Sequence, residues 1–524
     1  MGDVVTIYDT TLRDGCQGSG ISLSLRDKLD IARRLDDLRV DYVECGWPGA
    51  NPKDEQLFRA LREEPLRHAR AAAFGSTRRA GTSAPDDANL QALVEAGTPA
   101  VAVVAKAWDF HVDAVLRTTL GENLAMVSDS VDYLKAHGLE VVLDAEHFFD
   151  GYAANAQYAR AVLAAAVEGG ADWLVLCDTN GGSLPERVSE VTAAVVASFG
   201  DRIGVHAHND GELAVANSLA AVAAGARQVQ GTVNGYGERT GNANLTSIIP
   251  NLVLKTRFTC ASAEQLESLT ALSRYVDDVA YVASNPRAPY VGSRAFAHKG
   301  GLHAHAVAAD PRTYEHVEPA AVGNARRTVV SELAGRTAVA LRARELGIEI
   351  DDDETSAKVA KRLKELESRG FRFEDAEASF ELLLRRADPH YRPPMAAVSY
   401  AIESRKDADE VGSTSSASVT VAVADEIFRA AAVGGGPVEA LERALRRALA
   451  PAYPDLDAMT LTNFRAEIVG GRSKARAPVR VQITGSWGES SWTTVGCSSD
   501  ILHASWIALS DSVEYALALH EVAA

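Results

Sequence analysis

Cysteine is scarce. Only Cys16, Cys45, Cys177, Cys260 and Cys497 occur in 524 residues, and no C-x-x-C pair is present. So scattered and odd a set excludes a disulfide framework and a Cys-rich zinc site, and a reducing cytosol is the expected setting. Positive charge is also in deficit: 53 Lys and Arg stand against 71 Asp and Glu, for a net charge of −18. Without a basic block the chain is a poor partner for nucleic acid or for an anionic membrane. No apolar run reaches the about 18 residues of a membrane-spanning helix. The opening residues lack the basic and apolar regions of a signal peptide. Gly2 and Thr6 fit a loose myristoylation pattern, but they lead straight into a strand that would tie them down. Nor does G-x-G-x-x-G follow the first strand, which argues against a doubly wound nucleotide-binding sheet.

What is present is a repeated alternation. Eight runs rich in Val, Ile and Ala, at 4–8, 41–46, 70–75, 99–105, 139–145, 172–177, 202–207 and 228–233, each end in polar or Gly residues. Segments of helical period lie between them, for example 23–38, 86–96, 123–136, 153–168, 185–198 and 212–224. Ser22 and Pro185 mark two helix starts. Eight β-then-α units in about 250 residues predict a (β/α)₈ TIM barrel. In such barrels the chemistry sits at the C-terminal strand ends. Those ends carry Asp9, Arg13, Asp14, Glu44, Asp144, Glu146, Asp178, Thr179, His206, His208, Asp210, Asn234, Glu238, Arg239 and Asn242. So many polar groups in one ring predict a site.

His206 and His208 are two apart on the seventh strand, so both rings face the same side. Asp14, just past the first strand, lies near them because a barrel closes, and Asn242 follows the eighth strand. Two imidazoles and two oxygens suit a divalent cation such as Mg, Mn, Co or Zn. An Asp–His–His set also suits non-heme iron, although nothing else points to oxygen chemistry.

DTTLRDG (9–15), HAHND (206–210), NGYGERTGN (234–242) and KGGLHAHAV (299–307) resemble the acyl-CoA-condensing branch of the metal-dependent Claisen enzymes. That branch holds 2-isopropylmalate, homocitrate and citramalate synthases. LDAEHFFDGY (143–152), LCDTNGG (176–182) and YVGSRAFAHKGG (290–301) look most like the longer citramalate synthase type. The resemblance implies condensation of acetyl-CoA with a small 2-oxo acid, pyruvate foremost. It implies Asp14, His206 and His208 as metal ligands, with Asn242 as ligand or neighbour. Arg13 would hydrogen-bond the keto oxygen, Glu146 and Thr179 would line the 2-oxo acid pocket, and His303 and Tyr314 would act on acetyl-CoA.

Each role has a structural alternative. Arg13 could be an ion pair with Asp14 or Glu44, Glu146 a solvated loop acid, Thr179 a helix cap. His303 and His305 could be solvated loop histidines, and Glu238 could simply pair with Arg239. A metal-dependent carbon–carbon lyase is a competing activity on a similar barrel.

The expected domains are the catalytic barrel over 1–275, a linker and helical subdomain over 276–392, and an α+β unit over 393–524. The Pro-, Gly- and His-rich stretch 284–331 is expected to fold over the barrel mouth. Charged helices are expected at 353–369 and 373–387, and DPHYRPP (388–394) breaks the pattern. Beyond it a β-β-β-α unit occurs twice. This resembles the allosteric domain of the isopropylmalate and citramalate synthases, which implies a homodimer and isoleucine as feedback effector.

Overall fold

The computed structural model describes residues 4–298, 303, 306–307, 309–328, 336–348, 353–405, 414–469, 477–488 and 490–523. Strands β1 (Thr6–Asp9), β2 (Tyr42–Gly46), β3 (Arg70–Ser76), β4 (Ala100–Lys106), β5 (Glu140–Glu146), β6 (Trp173–Asp178), β7 (Ile203–Ala207) and β8 (Gln228–Gly231) form a closed parallel barrel. β8 closes on β1 with Tyr8 opposite Gln230. Side chains alternate as the two-residue period demands. Tyr8, Tyr42, Ala100 and Ala102 fill the interior, while Ile7, Val43, Val101 and Val103 face the surrounding helices.

The helices follow from local signals. Leu25–Asp37 starts at Ser24, not Ser22, because only Ser24 has an acid three residues on. Its hydroxyl accepts from Asp27 N while the Asp27 carboxylate accepts from Ser24 N, a reciprocal cap. Pro185 opens Pro185–Phe199 as expected.

The chain divides into two compact units, Met1–Phe296 with His316–Arg326, and Ala297–Glu315 with Arg327–Ala524. The boundary expected at 275 falls inside the helix Leu269–Val279, whose Leu269, Leu272 and Val276 belong to the barrel's outer core.

In the second unit, helices Asp353–Ser368 and Glu377–Arg385 pack through Val359, Leu363, Phe373 and Phe380. The C-terminal strands and helices make the duplication explicit. Strands Ala396–Arg405, Thr414–Val423 and Glu426–Gly434 precede helix Pro437–Leu449. Strands Thr460–Ile468, Val479–Trp487 and Ser490–Ser498 precede helix Ile501–Ala523. Both sheets are antiparallel, and both break register near the start of the first strand, at Ala397/Ser399 and Leu461/Asn463. Leu441, Leu445 and Leu449 line one stripe of the first helix and are fully buried. Each such burial is worth roughly 1.5–3 kcal/mol. Among the described residues no helix is long and apolar enough to cross a membrane.

Candidate active site

The loop after β1 is pinned by Asp9, whose carboxylate accepts from Thr11 N at 2.9 Å and Thr11 Oγ1 at 2.8 Å. That turn aims Arg13 at the barrel axis. Arg13 Nε donates to Glu44 Oε2 at 2.6 Å, and its Nη1 lies 3.2 Å from Asp14 Oδ2. Its guanidinium stacks on Phe74 at 3.9 Å. Glu44 is fully buried and also accepts from Tyr8 at 3.0 Å and Thr10 at 2.5 Å. The ion pair offered as an alternative reading of Arg13 is therefore present. It also holds the guanidinium in the wall of the cavity. Burial disfavours the arginine's charge, but Glu44 and Asp14 outweigh it and hold the group above its ordinary value.

Asp14, His206 and His208 converge, with one donor atom from each within 4.8 Å of the others. His206 Nε2 lies 3.4 Å from His208 Nε2 and 3.5 Å from Asp14 Oδ2. Asn242 Nδ2 donates to Asp14 Oδ1 at 3.1 Å and to the Tyr236 carbonyl at 3.0 Å. Asn242 Oδ1 and His208 Nδ1 are buried without a hydrogen-bond partner among the described residues. Burial raises the Asp14 carboxyl, but Arg13, His206 and His208 together hold it at about 2. Burial, then His206, pushes His208 down to about 4, so its ring stays neutral at pH 7. A carboxylate facing two imidazole rings, beside an orphaned amide oxygen, is a donor set that fits a divalent cation.

Around this centre is a cavity of about 630 Å³ lined, among others, by Arg13, Asp14, Lys106, Asp144, Glu146, Thr179, His206 and His208. Glu146 is no solvated acid: Lys106 Nζ pairs with it. Thr179 caps no helix, since the following one, Pro185–Phe199, has Leu184 at its N-cap; its hydroxyl accepts from His147 N at 2.8 Å instead. Arg239 engages Asp210 at 2.8 Å, nearer than Glu238 at 3.8 Å. His303 and Tyr314 belong to the second unit, where their rings stack at 4.1 Å. His305 lies outside the described residues.

Sequence reasoning did not single out Lys106 or Gln230. Gln230 is fully buried, accepts from His206 Nδ1 at 2.8 Å, and donates to Asp144 at 2.9 Å. Burial and then Glu44 push Asp144 up to about 8, against Arg13 and the Gln230 amide. The signal for both was available: a polar residue on an inward strand position, at a strand's C-terminal end.

Three family models match in order: HMGL-like over residues 4–276, homocitrate synthase post-HMGL domain-like over 290–370, and LeuA allosteric (dimerisation) domain over 374–517. The chain is 48% identical to the (R)-citramalate synthase of Aquifex aeolicus over 99% of this chain and 98% of that one. It is 49% identical to that of Synechocystis over 98% and 96%. A probable 2-isopropylmalate synthase of Methanopyrus kandleri is 35% identical over 96% and 97%. With the barrel model spanning over half the chain and these relatives matched end to end, the chain belongs to the HMGL-like family, in the group that holds the (R)-citramalate synthases.

Proposed function

We propose that the chain condenses acetyl-CoA with pyruvate and water to give (R)-citramalate and free CoA. One observation carries the reading: Arg13 and the Asp14–His206–His208 cluster face one cavity in a chain 48–49% identical to (R)-citramalate synthases. A divalent cation held by Asp14, His206 and His208, with Asn242 beside it, supplies Lewis acidity at the acceptor's keto carbonyl when bound. Arg13 donates to the keto oxygen. Because Glu44 and Phe74 already hold its guanidinium, little reorganisation opposes stabilisation of the alkoxide. Glu146 and Thr179 line the acceptor pocket. The family resemblance assigns to His303 removal of the proton from the acetyl methyl, a step worth about 10²–10⁴-fold when the base is positioned. The new carbon–carbon bond joins that methyl carbon to C2 of pyruvate, and the keto oxygen gains a proton. Water then cleaves the thioester to a carboxylate and the CoA thiol.

Identity of 44–49% to (R)-citramalate synthases, against 35% to a probable 2-isopropylmalate synthase, supports pyruvate over the branched acid. The test is release of CoA thiol from acetyl-CoA with a panel of 2-oxo acids. A higher kcat/KM for 2-oxoisovalerate, 2-oxoglutarate or glyoxylate than for pyruvate overturns the acceptor. The match to the LeuA allosteric (dimerisation) domain and the paired β-β-β-α units support a homodimer with an allosteric role, and isoleucine is the effector we propose for it. Calorimetry that detects no heat with isoleucine removes the effector.

A further inference from the structure

We propose that Gln230 is a positioning residue for the cation site: its amide fixes His206 in the tautomer whose Nε2 carries a lone pair toward Asp14 and His208. The inference rests on the metal-dependent reading of the barrel mouth. Gln230 lies on β8, in register with His206 on β7 and Tyr8 on β1, and is fully buried. Its Oε1 is 2.8 Å from His206 Nδ1, and its Nε2 is 2.9 Å from Asp144 Oδ1. An amide has one accepting and one donating end. As found, Asp144 Oδ1 accepts from Gln230 Nε2; turned over, the amide would set Oε1 against that oxygen, a buried acceptor–acceptor mismatch wherever Asp144 is ionised. Asp144, three strands away around the ring, therefore sets the direction of the amide. The amide in turn decides which imidazole nitrogen holds the hydrogen. Oε1 can only accept, so Nδ1 donates and Nε2 is left bare, 3.4 Å from His208 Nε2 and 3.5 Å from Asp14 Oδ2. A metal-bound imidazole is normally oriented by such a partner on its other nitrogen.

A neutral amide also differs from a carboxylate in that place. It orients the ring without adding a negative charge to a mouth that already buries Glu44, Asp144 and Asp14. His208 contrasts with its neighbour: its Nδ1 has no hydrogen-bond partner among the described residues.

The test is Mn²⁺ calorimetry on the full chain after dialysis against chelator, with far-UV circular dichroism as the control for folding. Q230M is expected to weaken Mn²⁺ binding by about 10–100-fold with an unchanged dichroism spectrum. Q230E replaces the donating end of the amide with a second carboxyl oxygen against Asp144 and is expected to weaken binding as well. Adding D144N to Q230E supplies a donor to the new carboxylate and restores binding to within about threefold, a coupling that a merely structural role does not predict. Wild-type affinity in Q230M, or no recovery in Q230E/D144N, overturns the inference alone. If the wild-type chain takes up no Mn²⁺, Mg²⁺, Co²⁺ or Zn²⁺, the metal reading falls and this inference with it.

Discussion

The barrel mouth and the duplicated C-terminal unit bury opposite chemistries. Around the mouth, Asp9, Asp14, Glu44, Asp144, His206, His208 and Gln230 are all under 10% exposed. The core beneath the two repeats is Leu441, Leu445, Leu449, Val481, Ile483, Leu509 and Val513. Of the polar groups buried there, Thr494 donates to the Ala508 carbonyl at 2.7 Å, and Asp511 and Glu514 are paired with Arg386. Burying ionisable groups costs stability, whereas burying leucines supplies it. The chain accepts the cost where groups face a cavity, and builds the repeats for packing.

Removing the cation tests the mouth hardest. After exhaustive chelation, thiol release from acetyl-CoA with pyruvate is expected to vanish and to return with a divalent ion, while unfolding of the second unit is unchanged. Full activity after chelation would end the distinction. Next in size, Arg13→Ala is expected to lower kcat by at least about 10²-fold, the scale of a lost preorganised donor. It also leaves Glu44 buried without its cation, so the barrel's melting temperature should fall with the rate.

In the repeats the effect should be purely structural. Leu445→Ala is expected to cost about 2–5 kcal/mol in denaturant unfolding and to leave Mn²⁺ affinity unchanged. A change in affinity would mean that the two regions are not separable in this way.

The smallest effect per step is a slope with pH. Asp9 and Asp144 have folded values of about 7 and about 8 against 3.8 unfolded. A carboxyl raised on folding contributes stability that is full below the unfolded value and is lost as pH rises through the folded one. Chelated barrel should therefore lose stability between about pH 4 and 8. Asp144→Asn should flatten that slope by up to about 1.4 kcal/mol per pH unit. An unchanged slope would show that Asp144 is not protonated in this range.

The alternation of strands and helices was legible because each strand's period of two and each helix's period of 3.6 are local properties. His206 and His208 were legible for the same reason, being two apart on one strand. Contacts across the ring were not. Nothing along β5 says that Asp144 meets Gln230, 86 residues on, or that Glu146 meets Lys106. Those pairings depend on the barrel's register, which the sequence pattern leaves open by a residue or two. The first helix is expected to start at Ser22; it starts after Ser24, because only there does an acid three residues on, Asp27, close the reciprocal cap.

The hydrogen bond from Asn242 to Asp14 spans 228 residues. At about 5–20 residues per second, ribosomal synthesis separates the two by roughly 10–45 s. Throughout that interval the first donor has emerged and the last has not. A nascent chain thus has no complete claw with which to seize an ion, right or wrong. The choice among cations falls to the finished ring and to whatever ions surround it when it shuts.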